Sequence, residues 1–162
     1  MDLKRLKREY NVPWIAETGE FDYSLYPIEH PTKDSLSIVD QKFVNACRIL
    51  GLMTRENRID AGMFLIGLII YYKGNIERLE ILVENLKYFK IKICSDFLFA
   101  ELLMTENIID NKKYLDLIVD LLGQFPQEIV KEKFVNFSID NRFNDSMRKR
   151  FLKIIKEFEN SN

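Results

Sequence analysis

One histidine, two cysteines and 25 acidic residues are the side chains from which catalysis or metal binding would have to be built in this chain of 162 residues. A general base or a nucleophile needs a tuned partner held against it. His30 has only Glu29 and Pro31 beside it in a proline-rich stretch, which reads as a surface loop histidine; a base assisted by Glu29 is the other reading. Cys47 and Cys94 fall on apolar helical faces without metal or redox spacing, and read as buried free thiols suited to a reducing cytoplasm. One His and two distant Cys build no zinc site. Asp140, Asn141, Asn144 and Asp145 lack the spacing and the closing Glu of a calcium loop, and read as a turn and helix cap. The six glycines are scattered with no phosphate-cradling pattern. Carboxylate pairs such as Asp96 and Glu101 read as parts of solvated helix faces. The expectation is a protein that is not an enzyme, with no cofactor and no metal; an enzyme with a cryptic concave groove is the alternative.

Charge is the other carrier of chemistry. The net charge is −1, with 47% hydrophobic and 30% charged residues, so nothing global draws the chain to nucleic acid or anionic lipid. The charge is segregated, however. Residues 17–40 hold six acids and one Lys, and residues 96–128 hold seven acids and two Lys. Residues 129–156 hold eight bases against three acids. Lys131, Lys133, Arg142, Arg148, Lys149, Arg150 and Lys153 of that basic end are candidates for contacts to nucleic-acid phosphates. The other reading of the same end is a solvated cap on a terminal repeat.

The elements that must position these groups recur at a fixed offset of 36 residues. The apolar columns are Phe43/Leu79/Leu115/Phe151, Ala46/Leu82/Ile118/Ile154, Cys47/Val83/Val119/Ile155 and Leu50/Leu86/Leu122/Phe158. An offset of 36 is also ten turns of a single helix, but Gly74-Asn75 and Asp110-Asn111 interrupt the chain, and each Asn can cap the helix that follows. The spacing predicts seven helices, at about 38–52, 55–73, 76–89, 91–106, 112–123, 127–138 and 145–159. The run Ala61 to Tyr72 is 12 residues long, short of the ~20 needed to span a membrane. It predicts the most enclosed helix of the stack, with Gly62 and Gly67 admitting close neighbours. Before residue 37, Pro13, Pro27, Pro31 and Gly19 break helical continuity, while Trp14, Phe21, Tyr23 and Tyr26 supply bulky apolar surface. The segment reads as an extended strap on its own domain, or as one that docks onto a partner. No apolar core follows the basic residues at the start, so no secretory signal is expected.

Paired amphipathic helices, Arg58 and Asp60 at one helix start, and recurring Leu, Val and Ile faces make residues 37–159 resemble the HEAT and armadillo-like helical repeat superfamily. Its usual period is longer, ~40 to 47 residues. The expected fold class is all-α: a right-handed stack of antiparallel helical hairpins, an α-α superhelix of about three and a half 36-residue repeats over 37–162, after a non-helical arm over 1–36. The resemblance implies a binding scaffold, hence an unidentified protein as partner; the short apolar run and the free thiols add the expectation of no membrane and a cytoplasmic location. The repeat register also aligns polar residues, as Arg48/Glu84/Asp120/Lys156. It predicts two ion pairs, Arg48 with Glu84 and Asp120 with Lys156, around an acidic centre of Glu80, Glu84, Asp116 and Asp120. Those four acids, with Trp14, Phe21 and Tyr23 of the strap, are the candidate protein-binding residues. Nucleic-acid binding by the hairpin at 129–156 is the alternative.

Overall fold

A computed structural model describes residues 41–161, the side chain of Lys42 excepted. The strap, with Trp14, Phe21, Tyr23 and His30, lies outside the described residues. Among those described, the chain is all-helical: α1 Gln41–Arg55, α2 Ile59–Tyr71, α3 Ile76–Glu84, α4 Lys92–Met104, α5 Lys112–Leu122, α6 Gln127–Ser138 and α7 Asp145–Asn160, with a 3-10 turn at Ile109–Asn111 before α5. Each matches an expected helix to within a few residues. They fall into two compact units that divide between Phe89 and Lys90.

In the first unit α1 packs on α2, and both pack on α3. The α1–α2 turn is closed by Asn57 at φ 63°, a left-handed position that Asn tolerates. Asn57 N–H donates to Thr54 O and Arg58 N–H to Met53 O, the two reversed bonds that satisfy the last carbonyls of a helix. Arg58 then grips Asp60 in the first turn of α2 through Nε and a terminal nitrogen, at 2.9 and 2.6 Å. Asn75 caps α3 as expected, its Oδ1 accepting from the Arg78 N–H. The predicted cap at Asn111 does not form: its amide donates to Glu106 O instead, and the 3-10 turn leads into α5.

In the second unit α4 packs on α5 and α6, and α6 on α7. Phe99, Phe134, Phe137, Phe143 and Phe151 interlock there with neighbouring ring centroids 5.0 to 6.0 Å apart. Asn144 caps α7, accepting from the Met147 N–H at 2.8 Å.

The apolar columns are the core. Fifteen of their sixteen residues are buried, and Phe158 is half-buried. The likeness extends past the helix ends. After α3 and after α5 the chain turns so that Phe89 N–H donates to Leu86 O and Phe125 N–H to Leu122 O, and each ring folds back into the core.

The enclosed helix is a correction. In α2, Ala61, Gly62, Leu65, Ile66, Leu68 and Ile69 are buried, but Ile59, Met63, Gly67, Ile70 and Tyr71 are exposed. At 100° per residue these sets occupy opposite sides of the helix. Its neighbours α1 and α3 cover one side, and nothing in the apolar run encodes how many neighbours a helix will have. The two glycines part company as well. A Cβ at Gly62 would lie 2.4 Å from the Phe89 ring, whereas one at Gly67 would meet nothing within 4 Å.

Candidate functional site

In each unit a groove opens along the helices that carry the repeated columns. Helix α1 approaches the end of α3 closely because Gly51 has no side chain: a Cβ there would sit 2.8 Å from the Asn85 carbonyl oxygen. Beside this contact, a groove of about 350 Å³ is lined by Val44, Arg48, Ile81, Glu84, Lys87 and Tyr88, among others. The Tyr88 ring lies 5.7 Å from the Arg55 guanidinium and 5.3 Å from the Lys87 ammonium, within cation–π range. Arg48 and Glu84 share this groove and both are exposed. The ion pair expected between them does not form, since no pair between them lies within 4 Å. Glu80, one turn earlier on α3, is half-buried.

In the second unit a groove of about 300 Å³ is lined by Lys112, Leu115 and Asp116 of α5 and by Asn144, Met147 and Arg150 of α7, with Ile108 and Ile109 at its rim. Arg150 spans it. One terminal nitrogen lies 2.5 Å from Asp116 Oδ1, and the other lies 2.5 Å from Asp120 Oδ1 and 3.3 Å from the Asp116 carbonyl oxygen. The expected Asp120–Lys156 pair is thereby corrected. Strict register sets Lys156 opposite Asp120, but the fork of an arginine six residues earlier reaches two carboxylates one turn apart and a carbonyl. A single ammonium cannot match that. The four candidate acids are thus divided, Glu80 and Glu84 in the first unit and Asp116 and Asp120 in the second.

The basic end is largely paired. Arg142 holds Asp140 at 2.7 Å, Arg148 pairs with Asp145 and donates to Asn141, Lys131 faces Glu159 at 3.8 Å and Lys133 faces Asp96 at 3.9 Å. The Arg142 side chain and its backbone N–H hold the Asp140 carboxyl well below the usual carboxylate range, at about 2. Lys149 and Lys153 are exposed on one side of α7.

Glu101 is a second correction. It does not sit on a solvated face. It is fully buried in α4, its carboxylate accepting from the Tyr114 hydroxyl at 2.7 Å. Burial pushes the Tyr114 hydroxyl up from its ordinary value, and the Glu101 carboxylate and their hydrogen bond push it further. The signal lay in the helical period, because Glu101 follows Cys94 and Leu98 at seven and three residues on the apolar side of α4. Asp96 does lie at the surface, 2.8 Å from Lys92. Both thiols are free and buried.

Among the described residues no group of three His, Cys, Asp or Glu side chains is placed to hold a metal, and no helix is long and apolar enough to cross a membrane. The described residues are all-α, with a charged groove in each unit. Compared with protein-family models, curated proteins and solved structures, the chain matches none of them.

Proposed function

We propose that this chain is a non-catalytic protein-interaction module, a short helical-repeat scaffold of HEAT or armadillo-like type, which binds another protein through the exposed sides of α1 and α3 in the first unit and of α5 and α7 in the second. The observation that carries the reading is the division of labour within one 36-residue period. The apolar columns are spent on the core, while Arg48, Glu84, Asp120 and Lys156, aligned by the same offset, stay exposed. The grooves beside them combine apolar walls with charge, which suits an extended or helical segment of a partner. The buried free thiols are in keeping with a reducing, cytoplasmic location. The carboxylate in the second groove, Asp116, is tied up by Arg150, which favours recognition over acid–base chemistry. Affinity co-purification from native extract tests the reading. A partner held by the natural chain is lost with Glu84→Lys and Asp120→Lys and kept with Glu132→Lys on α6; if no partner depends on Glu84 or Asp120, the reading fails.

A second reading has one observation in its favour. Lys149, Lys153 and Lys156 follow one another at four and three residues along α7, all exposed, as a helix contacting phosphates would place them. Titration with labelled RNA and DNA at two salt concentrations decides it: binding must weaken with salt and with Lys149→Ala/Lys153→Ala.

A further inference from the structure

A glycine in the middle of a helix is unfavourable relative to alanine, so its presence calls for a neighbour that needs the room. Gly51 and Gly62 have such neighbours in Asn85 and Phe89. Among the described residues Gly67 has none: it lies within α2, and a Cβ there would meet nothing within 4 Å. It is also flanked by apolar side chains that stand exposed among the described residues. Ile59, Met63, Ile70 and Tyr71 stand between 42% and 57% exposed, and they share with Gly67 one side of the helix. A soluble surface seldom spends an uninterrupted helical face this way unless a partner covers it.

We propose that this face is a homodimer contact, in which α2 packs antiparallel on α2 of a second copy, crossing at Gly67. The face is self-complementary about that point. A two-fold axis at Gly67 sets Met63 opposite Tyr71 of the partner and Ile70 opposite its residue 64. The N-terminal end of each α2 comes beside the C-terminal end of the other, so the helix dipoles oppose. The missing side chain lets the backbones approach so that Met63 and Ile70 pack against the partner helix on either side of the crossing. A helix of 13 residues is about 20 Å long, and its footprint falls well short of the ~800 Å² per partner typical of stable dimers. The association is therefore weak and concentration-dependent.

Sedimentation of the full chain over a micromolar-to-millimolar series tests this. The natural chain moves from monomer to dimer. Met63→Glu weakens association by at least about tenfold, with the helical circular dichroism unchanged because the site is exposed. Gly67→Ala acts in opposite directions, raising the melting temperature of the monomer while weakening the dimer. Under mild oxidation Gly67→Cys forms a symmetric disulfide dimer, whereas Ile59→Cys does not. The proposal is overturned if the natural chain stays monomeric throughout, or if its dimer ignores both Met63→Glu and Gly67→Ala. It is overturned equally if Met63→Glu perturbs the resonances of residues 14–26 in a strictly monomeric chain, which would assign the face to the chain's own N-terminal segment.

Discussion

Two carboxylates of the second unit show how differently the same group is used. Asp140 lies at the surface beside Arg142, and its carboxyl is held at about 2 by that side chain and by a backbone N–H. Its folded value is below the ~3.9 of an unfolded chain. The contribution it makes to stability is therefore present in full above about pH 4 and fades as pH falls toward 2. A carboxyl-carbon titration by NMR should place the midpoint near 2, and Arg142→Ala should move it up toward the ordinary range. Glu101 is the opposite case, buried against the Tyr114 hydroxyl. Removing that hydroxyl in Tyr114→Phe deprives a buried carboxylate of a hydrogen bond, and costs ~1.5–3 kcal/mol. Chemical denaturation measures the loss; a change within error would mean that the bond has no net weight.

At the scale of helices, the glycines of α2 separate intramolecular from intermolecular packing. Gly62→Ala would drive a methyl group to 2.4 Å from the Phe89 ring. Helix propensity returns at most ~1 kcal/mol, while overpacking a filled core costs ~1–3 kcal/mol, so the variant should be the less stable one. Gly62→Ala/Phe89→Leu should recover part of the loss, because the second change vacates the space. The turn that tucks Phe89 under α2 recurs at Phe125. The likeness between α3 and α5 then includes the backbone that ends each helix as well as the apolar stripe.

The whole molecule comprises two compact units, each with its own buried thiol, Cys47 in the first and Cys94 in the second. Burial pushes Cys94 up to about 12 and Cys47 higher still, against a smaller downward pull from Arg78. Thiolate is the reactive form, so neither thiol should react with a disulfide reagent at pH 8 until its unit opens, and both should react in denaturant. Rapid labelling of either in the native protein would contradict its enclosure. The same raised values mean that each thiol favours the folded chain below the ordinary thiol range near 8.5. That contribution is lost as pH climbs, for Cys94 toward 12.

By itself, the sequence determined the helices and their buried sides. Burial of an apolar column follows the helical period, and the period can be counted, so Leu79, Leu115 and their counterparts declared the core. Asn75 and Asn144 declared helix starts for a similarly local reason, since an N-cap bond spans three residues. Tertiary structure decided whatever depends on a neighbour's identity. That Arg150 and not Lys156 takes Asp120 follows from the reach of one side chain across two helices. That the most apolar helix keeps one side open follows from how many helices lie against it. Glu101 lies between these cases: its place on the apolar side of α4 was countable, but the approach of the Tyr114 hydroxyl that gives its carboxylate a hydrogen bond was not.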